Sequence, residues 1–299
     1  MPENRELNIL KPGDYKGLST IVPKSRKEAV VPSPQLSPER LLQQLQADTR
    51  QTPAPDAVAV VVGAVACGWA SPTIAATLVE QRLAQRDDRG LHLPDTPAAL
   101  QAVARGLHQA GLLKGWRNEA LDILAPDDAV LGRIERAAMR ALGLRTRAVH
   151  LQALGSGQRI WIARRADHKS TDPGLWDTLV GGLVGAGEAL DVALLRESNE
   201  EAGLTPADLV ARQPIGQFVV SRHVPEGYQV ESTWISACEL PPGCRPRNLD
   251  GEVAAIELAT IPEVLAGIAA GQFTVEAALS ILHWLVGTRP NHPGGPATP

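Results

Sequence analysis

At residue 146 the hydrophobic pattern of the chain changes from helical spacing to strand alternation, and this change limits the fold more than any other feature. "AVHLQALGSGQRIWIARR" reads as two strands around a Gly-Ser-Gly turn. "PIGQFVVSRHVPEGYQVESTWISACEL" repeats the pattern around Pro225-Glu226-Gly227, and "EVAAIELA" supplies a further strand before helices near 262–270 and 275–286. Among these strands sits a single helix, predicted over 188–202 and stopped by Gly203. Before the change, "LSPERLLQQLQ", "ASPTIAATLVEQRLAQ" and "DTPAALQAVARGLHQAGLL" each place Ser or Thr ahead of Pro and then continue at helical spacing. The hydroxyl can accept from the first free amides, and Pro at the first helical position sacrifices no bond. Helices are therefore expected to start near Pro38, Pro72 and Pro97, the last stopping at Gly111, with "AVAVVV" as a strand between the first two. The expected class is α+β: a flexible leader over 1–36, a small α+β unit over 37–143, a second domain over 144–288 and a disordered tail over 289–299.

With 299 residues, 44% of them hydrophobic and 21% charged, the chain can build more than one core. No run approaches the roughly 18 apolar residues of a membrane span. A net charge of −4 argues against nucleic acid as the main partner. The basic stretch Arg133, Arg136, Arg140, Arg145 and Arg147 reads as a solvated helix face. Cys67, Cys238 and Cys244 match no zinc spacing and suit a reducing compartment. The N-terminus lacks an apolar signal core, and Glu3, Glu6 and Asp14 disfavour a transit peptide, so a cytoplasmic location is expected.

The embedded helix raises a question of charge. Glu197, Glu200 and Glu201 fall on one face at 100° per residue, near the end where the helix dipole opposes negative charge. Each like-charged pair costs a few tenths of a kcal/mol, and the dipole adds roughly 0.3–1 kcal/mol. Arg196 can hold one carboxylate but cannot neutralise three. An exposed acidic face is one reading. However, Leu190, Ala193, Leu194 and Ala202 show that the helix packs against a folded surface. Oxygen ligands converging there suit a hard cation, most simply Mg²⁺.

The pattern Gly182-x5-Glu188-x7-Arg196-Glu197-Ser198-x-Glu200-Glu201-x-Gly203-Leu204 resembles the Nudix box, G-x5-E-x7-R-E-U-x-E-E-x-G-U, where U is a bulky aliphatic residue. Ser198, at the first U, is the one departure. The resemblance implies an α/β/α sandwich around a mixed sheet and hydrolysis of a diphosphate joined to another moiety. It implies Glu197, Glu200 and Glu201, with the Gly182 carbonyl, as ligands of Mg²⁺, with Mn²⁺ as the alternative ion. Arg196 would orient Glu200, while Glu188 is either a supporting carboxylate or a simple helix-start charge. The general base is a box glutamate, Glu200 or Glu201, or else Glu252 in "LDGEV".

Substrate contacts are expected from "ARRADHK". Strand alternation sends Arg164 and Arg165 to opposite faces, and one of them with Lys169 would clamp the diphosphate. Trp176 and Trp116 are the candidates for a stacking platform. The flanks "GLLKGWRNEALDI" and "NLDGEVAAIELATIPEV" resemble the thiamine pyrophosphokinase-related Nudix proteins, which carry an extra N-terminal domain (the DUF4743 type). That resemblance implies thiamine diphosphate or its oxidised analogues as substrate, giving the monophosphate and phosphate. The alternatives are an ADP-ribose- or NADH-type pyrophosphatase and a non-catalytic ligand sensor. An isopentenyl diphosphate isomerase-like activity would need Cys238 in the pocket. A homodimer is compatible with each of these readings.

Overall fold

Three short helices begin where the Ser/Thr-Pro punctuation places them in the computed structural model, which describes residues 37–287. Ser37 caps α1 (Pro38–Asp48) by accepting from the Arg40 amide, and Ser71 caps α2 (Pro72–Glu80) by accepting from Ile74. Thr96 precedes α3 (Pro97–Gln109) without a side-chain cap bond. The expected leader over 1–36 and tail over 289–299 lie outside the described residues.

Strand β1 (Val58–Val62) pairs antiparallel with β2 (Val65–Ala70) and parallel with β4 (Leu91–Leu93), which also pairs with β3 (Gln85–Arg86). Val60, Leu78, Leu91, Leu100 and Leu107 form the core between this four-stranded sheet and helices α2 and α3. A hairpin of β5 (Ala120–Leu124) and β6 (Val130–Glu135) follows, then the single turn α4 (Ala138–Ala141).

The second sheet begins with the predicted hairpin, β7 (Arg145–Gly155) and β8 (Arg159–Arg165). Two short strands, β9 (Trp176–Thr178) and β10 (Val180–Leu183), lead into α5 (Leu190–Ala202). The second hairpin, β11 (Gln213–Val224) and β12 (Gly227–Glu239), places β12 parallel to β7. Then β13 (Val253–Thr260) closes along β8, ahead of α6 (Ile261–Ala269) and α7 (Val275–Gly287). The order is β11-β12-β7-β8-β13, with β10 on β7 and β9 on β8.

Alternation along the strands directs one set of side chains to each face. Val149, Leu151 and Ala153 meet Ala193, Leu194 and Ala202 of α5. On the opposite face, Ile160, Ile162 and Ile235 meet Leu279 and Leu282 of α7. The result is the expected helix–sheet–helix sandwich around a mixed sheet, preceded by a smaller α+β unit. One element departs from the expected division. Helix α1 buries Leu41 and Leu42 in the α7 cluster rather than on the four-stranded sheet. No helix among the described residues is long and apolar enough to cross a membrane.

Candidate active site

The glutamate helix ends as its sequence requires. Gly203 adopts φ 63°, and its amide bonds to the Asn199 carbonyl, which closes the last turn of α5. Ala193, Leu194 and Ala202 are buried against the sheet, so the position of the polar face is set by packing. Ser198 is also fully buried, and its hydroxyl has no hydrogen-bond partner among the described residues.

Arg196 organises that polar face. Its Nε and Nη2 donate to the two oxygens of Glu188, each at 2.9 Å. Its Nη1 donates to Glu197 at 2.8 Å and to Glu200 at 3.2 Å, and Nη2 also reaches the Leu183 carbonyl at 3.1 Å. Hydrogen bonding to Glu188 raises the guanidinium pKa, so it remains charged. The same bond lowers the Glu188 pKa below its ordinary value, with help from the Gly185 amide and against the effect of burial. Glu188 is therefore tied into the constellation rather than acting as a free helix-start charge.

Glu197 and Glu201 face the cleft, alongside Gly181 and Gly182 of β10. Burial raises the pKa of both carboxyls. For Glu201 the rise is large, because the charges of Glu197 and Asp177 add to burial, against the Gly181 amide at 3.0 Å and the charge of Lys169. A Cβ at position 182 would overlap the Glu197 carboxyl, so glycine is required for this approach. Two carboxylates whose charge is opposed by burial, beside a strand without side chains at 181 and 182, match the oxygen-donor chemistry of a hard divalent cation. Among the described residues no three acidic, thiol or imidazole groups cluster tightly enough to hold a metal. Arg196 lies between Glu197 and Glu200, and Glu200 remains half exposed at the rim.

The cleft is also lined by Arg165, Lys169, Asp177 and Glu252. Lys169 forms an ion pair with Glu252. Burial opposes the charge of Glu252, but the Lys169 contact outweighs it and keeps the carboxyl below its usual pKa. Arg165 Nη1 donates to Asp177 at 3.4 Å, and Asp177 lies 3.7 Å from His150 Nδ1. Burial lowers the His150 pKa and favours the neutral ring.

The clamp expectation divides as strand alternation requires. Arg165 lines the cleft, whereas Arg164 turns away to the Gly174 carbonyl at 3.1 Å and to Asp167 at 3.2 Å. Trp176 is a correction. It lies in the apolar cluster with Ile160, Ile162 and Phe273 and is only 7% exposed, so it offers no stacking face. Trp116 packs on His108, with ring centroids 5.0 Å apart, and likewise does not line the cleft. Cys238 is buried in the α5 cluster, where burial pushes its thiol up to about 11, so it provides no acid or base to the cleft.

The basic stretch before residue 148 is also corrected, because it spans β6, α4 and β7 rather than a single helix. Arg136 and Arg140 line the cleft. Arg133 and Arg147 each hold the buried Asp122 at 3.1 Å. Asp122 also accepts from the Gly187 amide at 2.8 Å, and the Ala186 amide bonds to the Ala120 carbonyl at 3.0 Å. The β5–β6 hairpin thus braces the loop that leads into α5. The sequence carried a signal for these residues, the arginine density itself, but the partners lie 11 to 65 positions apart.

Comparison with known proteins agrees with this geometry. Residues 144–279 match the family profile described as NUDIX domain. A Nudix hydrolase from Deinococcus radiodurans is 30% identical over 159 residues, covering 53% of this chain and 88% of that protein. The chloroplastic Nudix hydrolase 20 of Arabidopsis thaliana is 31% identical over 182 residues, covering 57% of this chain and 46% of that protein. A solved Deinococcus radiodurans structure aligns over 55% of this chain and 97% of its own, with a TM-score of 0.41 and 27% identity. The chain spans about half the length of several curated relatives that it matches. With every fixed residue of the box in place on a strand–loop–helix, and with a match across most of the Deinococcus relative, the chain belongs to the Nudix hydrolase family.

Proposed function

We propose that this protein hydrolyses a diphosphate joined to another moiety, with the help of Mg²⁺ or Mn²⁺. The observation that carries the reading is the convergence of Glu197, Glu201 and Gly182 with Arg165 and Lys169 around one cleft. Glu197, Glu201 and the Gly182 carbonyl would hold the cation. When bound, it neutralises phosphoryl oxygens and makes water more acidic. Arg165 and Lys169 hold the diphosphate. Arg196 orients Glu197 and Glu200 through its hydrogen bonds to both. Glu252 is the preferred proton acceptor for the attacking water, since it lines the cleft and remains a carboxylate beside Lys169. Glu200, at the rim, takes part through Arg196 and as a further ligand.

For the organic moiety, Asp172, Glu231 and Glu276 on the same walls favour a positively charged ring, as in thiamine diphosphate and its oxidised analogues. The competing substrate class is a nucleoside diphosphate derivative of the ADP-ribose or NADH type. Product analysis with Mg²⁺ on thiamine diphosphate, its oxidised analogues, ADP-ribose and NADH tests both, with Glu200→Gln and Glu252→Gln beside wild type. Turnover of thiamine compounds to the monophosphate, abolished in the variants, supports the first reading. Turnover of nucleotides alone discards the substrate and keeps the chemistry. A folded, Mg²⁺-binding protein that turns over nothing would replace the enzyme by a ligand sensor.

A further inference from the structure

Beyond Lys169 the cleft continues into a second compartment, walled by both the N-terminal unit and the sandwich. The two compartments share Arg136, Arg140, Arg165 and Lys169. Their charge balances are opposite. The inner compartment sets seven carboxylates against those four cations. The outer one adds Lys114 and Arg117, giving six cations against only Glu226 and Glu231.

The added cations are held in place. They sit in "KGWRN", where Gly115 and Asn118 adopt φ 69° and 57° and turn the chain sharply. The Arg117 amide donates at 2.9 Å to Glu135, which is 3% exposed, and Trp116 Nε1 donates to Asn118 at 2.8 Å. Arg117 Nη2 crosses to the Ser170 hydroxyl, 3.1 Å away on the sandwich. Neither Lys114 nor Arg117 pairs with a carboxylate among the described residues. Arg140 has only a long 3.9 Å pairing with Glu226, whereas Arg136 is paired with Glu119 at 2.8 Å. Cations gathered in a concave site repel one another unless an anion lies between them, and guanidinium groups suit phosphoryl oxygens in particular.

We propose that the outer compartment is an oxyanion subsite of the substrate-binding cleft. There Lys114 and Arg117 join Arg136 and Arg140 to hold the phosphoryl group farther from Glu197 and Glu201. The N-terminal unit is then part of the substrate site and selects organic diphosphates over monophosphates. This inference rests on the diphosphate hydrolase reading. Free inorganic phosphate shares the chemistry, and the test separates the two sources.

Titration calorimetry of the full chain with inorganic pyrophosphate, in buffer containing a chelator, removes any contribution from a metal. Wild type should bind with an affinity that falls as salt rises. The double variant K114A/R117A should bind at least about tenfold more weakly, the size expected for losing charged hydrogen bonds. Both side chains are exposed, so the fold is retained, and K114E/R117E should weaken binding further. Inorganic phosphate should bind more weakly than pyrophosphate. With any organic diphosphate that is turned over, the loss in K114A/R117A should fall on KM rather than kcat. Absence of pyrophosphate binding by wild type, or equal binding by wild type and K114A/R117A, overturns the subsite. Equal affinity for phosphate and pyrophosphate overturns its assignment to the substrate. Pyrophosphate binding that depends on Lys114 and Arg117, in a protein that hydrolyses no organic diphosphate, would keep the subsite and discard the hydrolase reading.

Discussion

The helix carrying Glu197 and Glu201 and the loop carrying Lys114 and Arg117 face adjoining parts of one cleft, yet they are assembled by different means. Helix α5 is held by contacts inside a single motif: Arg196 to Glu188, Glu197 and Glu200, and Glu201 to Gly181. The loop is held by contacts across the chain: Arg117 to Glu135 and Ser170, with Asp122 nearby bound to Arg147 and Gly187. The carboxylate end is therefore a largely local device, built on one helix of the sandwich and braced by the β5–β6 hairpin. The cation end exists only where two units meet. It follows that damage to the first should abolish chemistry, and damage to the second should change binding and the rigidity of the site.

The largest effect is expected from Glu201→Gln. Losing a buried carboxylate at the cation end should lower kcat/KM by about 10²- to 10⁴-fold, the range for charge stabilisation and acid–base groups of this kind. Chelation of divalent ions should do the same to wild type, and initial rates on the turned-over diphosphate measure both. If K114A/R117A lowered kcat as far as Glu201→Gln does, the proposed division of labour would fail.

Next in size is Asp122→Ala. This carboxylate is 5% exposed and takes donors from Arg133, Arg147 and the Gly187 amide. Its removal should cost about 2 kcal/mol of stability, less than a fully buried pair because Arg133 is more than half exposed. Urea unfolding measures the cost. A parallel fall in kcat would show that the hairpin braces the loop before α5. Unchanged kcat in the folded fraction would show that the box stands without that brace.

A smaller, pH-dependent effect belongs to Glu188. Hydrogen bonding from Arg196 lowers its pKa in the folded protein, so it binds its proton less readily than in the unfolded chain. Its contribution to stability is complete above the unfolded value, about 4.3, and disappears as pH falls through the lower folded value. Glu188→Gln should thus be less stable than wild type at neutral pH, with the gap closing in acid below about pH 4. Denaturation midpoints for both proteins across that range check the sign. A gap that widened in acid would mean that Arg196 does not sustain this carboxylate.

The parts legible in the sequence were those whose partners are near in the chain. Pro38, Pro72 and Pro97 gave helix starts, Gly203 gave the end of α5, and Pro225-Glu226 gave the second hairpin. Alternation separated Arg164 from Arg165 correctly but could not say which would face the cleft. What stayed hidden depended on long-range packing. Trp176 beside the box reads equally well as a stacking residue or a core residue, and Phe273, far away in sequence, settles it together with Ile162 on the paired strand β8. Strands β5 and β6 carry Asp122, Arg133 and Glu135 among their apolar residues, because Asp122 takes donors from Arg133 and Arg147 and Glu135 accepts from the Arg117 amide. Helix α1 follows the leader, yet its apolar face is complementary to α7, more than 200 residues later.

The smallest effect concerns the position where the box departs from its usual pattern. Ser198 stands where a bulky aliphatic residue is usual, fully buried and with its hydroxyl unpaired among the described residues. A buried donor without a partner costs about 1–3 kcal/mol relative to one that is solvated, while a serine hydroxyl fills less volume than an aliphatic side chain. Ser198→Ala removes the unpaired group and adds no atoms, so its stability should equal wild type or exceed it by up to about 1 kcal/mol. Ser198→Val adds apolar contact but places a β-branched residue in a helix and risks overpacking against the sheet. The ordering of the three melting temperatures therefore reports the space beneath α5. A more stable alanine with a less stable valine would mean a tight interface that the serine fits by size, and a more stable valine would mean a gap. In either case kcat should change by less than about threefold, because position 198 faces the core while Glu197 and Glu201 face the cleft. A large loss of activity in Ser198→Ala would instead show that the hydroxyl helps to position the carboxylates, beside Arg196 and the Gly181 amide.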